Sequence, residues 1–155
     1  MELILWRHAD AENGHDDVKR ELTDKGHKQA ARIARWLKPR IDYDWVILSS
    51  PAVRAAQTAE ALGMKFDTRI TLSTAGTPSS VLREAHWPDG KRNVIVVGHQ
   101  PTLGQIAAKL LADQHGEIAV KKGAIWWFST SKQDDGTSGI VLRTVMNPDL
   151  VEEDS

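Results

Sequence analysis

The sequence predicts an α/β fold: a three-layer sandwich with a mostly parallel central sheet, helices on both of its faces and an antiparallel hairpin at the C-terminal edge. Three observations predict it. Short apolar runs, LILW (3–6), WVILSS (45–50) and NVIVV (93–97), suit strands buried on both faces. Stretches of helical periodicity separate them, and strand–helix alternation makes consecutive strands parallel. The last third changes character: AIWWFST (124–130) and GIVLRTVM (139–146) are β-rich runs joined by a polar turn, the pattern of a hairpin.

The elements follow in order. LILW forms the first strand. Residues 9–21, ADAENGHDDVKRE, are polar, contain Gly14 and form a loop. Thr23 caps a helix, Asp24 suits the positive end of its dipole, and Ala30, Ile33, Ala34 and Leu37 make one apolar face before Pro39 ends it. WVILSS is the second strand. Ser50 and Pro51 read as N-cap and first residue of a helix that runs towards Gly63. A short third strand is expected within 64–72, then a loop, then a helix over SSVLREAHW (79–87) that includes His86 and Glu84 as surface residues. NVIVV is the clearest strand. The helix after it, TLGQIAAKLLA (102–112), places Leu103, Ile106, Ala107, Leu110 and Leu111 on one face. Residues 1–155 read as a single domain, with an acidic tail over 146–155 expected to fray.

Composition narrows the function. The chain has 155 residues, 41% hydrophobic and 26% charged, with a net charge of −1, six histidines and no cysteine. Near-neutral charge gives no global field for nucleic acid or an anionic membrane, so any anion site is local. Absent cysteine excludes disulfides, thiolate metal sites and cysteine nucleophiles. No apolar run approaches a membrane span, and MELILWRH lacks the marks of a signal peptide. A cytoplasmic monomer is expected, binding neither nucleic acid nor membrane.

In open parallel sheets, functional side chains gather beyond the carboxyl ends of the strands. The first strand ends in Arg7-His8, the second in Ser49-Ser50-Pro51 with Arg54 just inside the next helix, and the NVIVV strand in Gly98-His99. One Arg-His pair means little by itself. The same pattern at three strand ends puts two histidines and two arginines on one edge, where a phosphate fits: arginine forks bind its oxygens in pairs, and helix N-termini add donors. A neutral imidazole is a competent nucleophile near pH 7. Phosphoryl transfer then needs positioning and cationic stabilisation, which arginines and a second, protonated histidine supply without a metal or cofactor.

LILWRHADA, LSSPAVRAAQTAEAL and VIVVGHQPTL, in that order, resemble the signatures of the histidine phosphatase superfamily, with its phosphoglycerate-mutase-like fold. The short chain, the RHA opening and KRELTDKGHKQA resemble its SixA-type phosphohistidine phosphatases. The resemblance implies that His8 attacks phosphorus and becomes phosphohistidine. It implies that Arg7, Arg54 and His99 form the phosphate pocket, that Arg20 reaches the same phosphate from the loop, and that Asp17 is a loop contact or candidate acid. Ala9 stands where the commoner motif has glycine, and Glu21 where proline is usual. The implied substrate is phosphohistidine on a protein of the histidine phosphotransfer type. A small-molecule phosphomonoester or phosphoramidate is the alternative.

Two rival readings differ in class. A metal hydrolase would recruit His8, Asp10, His15 and His99, yet arginines beside the ligands repel a dication. A non-catalytic module binding phosphate or a phosphoprotein would use the same pocket. Asp17, on a polar loop, would be ionised at pH 7 and a poor proton donor. His15, His27 and His115 read as solvated, and the six tryptophans as packing.

Overall fold

The computed structural model describes residues 1–113, 115–132 and 134–153. Six strands form one sheet: β1 (Glu2–Arg7), β2 (Val46–Ser49), β3 (Asp67–Thr68), β4 (Val94–Gly98), β5 (Ile125–Lys132) and β6 (Ser138–Met146), in the order β3-β2-β4-β1-β5-β6. β1, β2, β3 and β4 are parallel, and β5 and β6 are antiparallel to their neighbours. Four helices connect them: α1 (Asp24–Leu37), α2 (Val53–Glu60), α3 (Pro78–Glu84) and α4 (Thr102–Ala112).

Alternation along the strands divides the core into two layers. Leu3 and Leu5 of β1, with Val94 and Val96 of β4, pack under α3 and α4 against Val81, Leu103 and Ile106. Ile4, Trp6, Ile95 and Val97 face the other way, against Ile33 and Leu37 of α1 and Ala55 and Ala59 of α2. Trp126 and Trp127 of β5 split between the same two layers. Each fully buried Leu or Ile contributes about 1.5–3 kcal/mol. The chemistry-bearing residues just past β1, β2 and β4 therefore share one anchored edge.

Several expectations are corrected. α2 begins at Val53, capped by the backbone of Ala52, because Ser50 Oγ accepts the Ala52 N–H at 3.2 Å and holds 50–52 as a turn. The short third strand expected within 64–72 is present, as two residues paired with Leu48 and Ser49. His86 lies past the end of α3 with φ 57°, a left-handed backbone. Glu84 is half-buried and pairs with Arg69 at 3.0 Å. Leu111 is 42% exposed, since the last turn of α4 runs beyond its cover. Over 147–153 the tail lies against α1. Pro148 and Val151 are buried, Val151 joins the α1–α2 layer, and Glu153 and the Glu152 carbonyl meet Arg32 and Arg35 of α1. An acidic segment is held there because basic α1 side chains face it. Residues 154–155 lie outside the described residues. Among the described residues no helix is long and apolar enough to cross a membrane.

Candidate active site

Register sets the site. Arg7 pairs with Gly98 in parallel, so His8 and His99 leave neighbouring strands at the same level, their ring centroids 5.2 Å apart. The backbone of β1 is pinned beyond its last pair: His8 N–H donates to Gly98 O, and Gly123 N–H to the carbonyls of Arg7 and His8. Gly123 has φ 75°, which an L side chain adopts at a cost. α1 also starts tightly against this loop. A Cβ on Gly26 would stand 1.9 Å from Asp10 O, so only glycine fits.

His8 is 8% exposed. Its Nδ1 lies 2.8 Å from Ala9 O. A carbonyl only accepts, so Nδ1 carries the proton and Nε2 keeps a lone pair. Arg54 Nε points its N–H at that Nε2, 3.4 Å away. Burial, with the neighbouring His99, Arg54 and Arg7 working in the same direction, lowers the His8 pKa to about 3. The ring is therefore neutral at pH 7.

Arg54 comes from the first turn of α2 and is 2% exposed. Its Nη1 donates to Asp17 O at 2.8 Å, and its Nη2 to Asp17 Oδ2 at 3.2 Å. Arg7 donates through Nη1 to Val120 O, while its buried Nε has no partner among the described residues. An unpaired guanidinium N–H is costly to bury, and an anion satisfies it. Arg20 is drawn to Asp17 at 2.9 Å and to Glu12 O at 3.2 Å. Burial raises the Asp17 pKa, but hydrogen bonds and charges from Arg20 and Arg54 outweigh it and hold the carboxyl below its usual range.

Burial and then Arg54 lower the His99 pKa to about 4 against the opposing Asp17, so the ring is neutral at pH 7. The structure thus brings His8, Arg7, Arg54, His99 and Asp17 together, with Arg20 attached through Asp17. Two further side chains were missed. Ser50 Oγ lies 2.8 Å from His99 Nε2. Thr58 Oγ1 donates to Arg54 O and accepts the Ala9 N–H, tying α2 to the loop after His8. Thr58 sits one helical turn past Arg54, a spacing that could have flagged it. The ligand set of the metal reading is not gathered: among the described residues no group of three or more His, Asp or Glu side chains could hold an ion, and Asp10 is tied to Thr23 and Lys122.

Comparison with known proteins identifies the family. Residues 3–76 match the family model of the histidine phosphatase superfamily, branch 1. A phosphohistidine phosphatase SixA homolog of Haemophilus influenzae is 31% identical, over 71% of this chain and 77% of that one. Phosphohistidine phosphatase SixA of Escherichia coli is 29% identical, over 71% and 74%. The solved protein histidine phosphatase SixA complexed with tungstate superposes with a TM-score of 0.80 at 25% identity, covering 98% of this chain and 100% of that one. The chain belongs to the histidine phosphatase superfamily. Within it, the protein is a phosphatase of the SixA-like phosphohistidine phosphatase group.

Proposed function

We propose that the protein removes phosphate from phosphohistidine on a protein, through a covalent phosphoryl intermediate on His8. The observation that carries this is the unprotonated His8 Nε2, buried and facing the Nε–H of Arg54, together with a buried Arg7 Nε left without a partner among the described residues. The likeness to a protein histidine phosphatase SixA solved in complex with tungstate, a tetrahedral oxyanion, supports a site for a phosphoryl group. Nε2 attacks phosphorus in line, the P–N bond to the substrate imidazole breaks, and solvent protonates the departing nitrogen. Water then attacks the His8 phosphoramidate and releases inorganic phosphate. Arg7, Arg54 and His99 hold the equatorial oxygens, where charge accumulates. Arg20 adds a cation from the loop, steered by Asp17. The reaction asks for no metal and no cofactor.

The test is a side-by-side turnover panel in the presence of a chelator: a phosphohistidine protein, a phosphohistidine peptide, an aryl phosphate and common sugar phosphates. The protein substrate is expected to give the highest kcat/KM, unaffected by chelation. Preference for a sugar phosphate would assign the small-molecule reading instead. Phosphate binding without release from any of them would leave a binding module. Loss on chelation, restored by zinc or magnesium, would return the metal hydrolase.

A further inference from the structure

The contact between Ser50 Oγ and His99 Nε2, 2.8 Å long, joins two buried residues, 0% and 3% exposed. Two proton placements produce such a contact. His99 donates from Nε2, or Ser50 donates and the imidazole proton sits on Nδ1. The other nitrogen decides between them. Nδ1 lies 3.4 Å from Nη2 of Arg54, which only donates. A proton on Nδ1 would oppose that N–H, whereas a lone pair accepts it. Ser50 permits this placement. One of its lone pairs accepts the Ala52 N–H, and the other is left for the imidazole N–H.

We propose that Ser50 is a positioning residue that holds His99 as the Nε2–H tautomer, with Nδ1 bare on the Arg54 side, so that His99 takes up a proton as the phosphoryl group binds. The balance is simple. One proton passes from solvent to Nδ1, which then donates to a phosphoryl oxygen, and the Nε2–H stays on Ser50. No covalent bond changes. The groups facing His99 set the direction. Arg54 from α2, Arg7 from the end of β1 and Arg20 from the loop disfavour a charge there, Asp17 favours it, and His8 presents a tilted neutral ring. Burial, the largest cause, acts with these cations to keep the ring neutral. A dianionic phosphoryl group reverses the sum. His99 thus arrives at the cationic form only with its ligand, and Ser50 ensures that the nitrogen gaining the proton is the one facing it. The proton uptake rests on the phosphate reading of the pocket; the resting tautomer does not.

The experiment is long-range ¹H–¹⁵N correlation of the histidine rings in the full-length chain at pH 7.5. Free protein is expected to show His99 neutral with its proton on Nε2, and saturating orthovanadate should convert it to imidazolium. Ser50→Ala should give mixed His99 tautomers and lower kcat on an aryl phosphate about 10-fold, as when a group orienting a site imidazole is lost. Ser50→Thr, which keeps the hydroxyl, should restore both. A proton on Nδ1 in the free protein, or a Ser50→Ala variant with the wild-type tautomer, overturns the role of Ser50. Vanadate binding without imidazolium formation overturns the proton uptake. No vanadate or phosphate binding at all overturns the phosphatase reading and the uptake with it, and the free-protein spectrum still decides Ser50.

Discussion

The ends of β1 and β4 are near twins in backbone and opposites in chemistry. Each parallel strand ends in a histidine, the two at one level, both buried, both with pKa values pushed well below free imidazole. Yet the partner of the second nitrogen differs. After β1 the Ala9 carbonyl takes the Nδ1–H and leaves Nε2 unprotonated, facing the Nε–H of Arg54. After β4 the Ser50 hydroxyl engages Nε2, so the free nitrogen is Nδ1, close to the backbone and beside Arg54. Topology brings two imidazoles together; the hydrogen bond behind each ring divides nucleophile from phosphate ligand.

The sharpest way to break this comparison is to remove each ring in turn. His8→Ala is expected to lower kcat/KM on an aryl phosphate by about 10⁴-fold or more, as when a nucleophile is lost, and His99→Ala by roughly 10²–10³-fold, as for a lost oxyanion donor. Equal losses would erase the distinction. Next come the arginines. Arg54→Ala should cost roughly 10²-fold, mostly in kcat, because Arg54 is fixed in α2 between both rings. Arg20→Ala should do less and act mainly on KM, since its side chain is held by Asp17 and the Glu12 carbonyl. The reverse ranking would mean that the phosphate sits nearer the loop than proposed.

A smaller effect separates Asp17 as strut from Asp17 as acid. Its carboxylate is ionised and committed to two arginines, so it has no proton to give at pH 7. Phosphohistidine is expected to be turned over fastest, aryl phosphate next and alkyl phosphates far behind, because only alkoxides need a dedicated acid. Asp17→Asn should lower all three rates by one common factor, about 10-fold at most. A loss confined to alkyl esters would make Asp17 the donor.

The smallest effect is on stability. Both folded pKa values lie below the ~6.5 of free imidazole, so the unfolded chain takes up protons first as pH falls. The contribution of the two neutral rings is complete above about pH 6.5 and is lost as pH drops towards 4 and then 3. Urea unfolding should show this decline between pH 7 and 4.5, shallower in His99→Gln. Stability unchanged across that window would mean that the rings are not buried neutral.

Much of this was written in the residues. Apolar runs such as NVIVV have one reading when helices flank them, and a parallel sheet gathers strand ends on one edge, so Arg7, His8, Arg54 and His99 could be placed together before their distances were known. What could not be read depends on contacts across the fold. Ser50 looked like a helix cap, a role its local sequence supports, until His99 and the Ala52 N–H claimed its oxygen. The charge on His99 followed from burial beside Arg54, which no spacing reveals. The acidic tail seemed free because the arginines that hold it lie more than a hundred residues earlier, on α1.

The central claim is that His8, and not its twin, carries the phosphoryl group. The direct measurement is to quench the enzyme during turnover of a labelled phosphohistidine protein, then digest it and locate the label. An acid-labile, base-stable phosphate on Nε2 of His8, absent in His8→Ala and still formed in His99→Ala, is the expected result. Label on His99 or on a serine, or full activity in His8→Ala with nothing trapped, would contradict it.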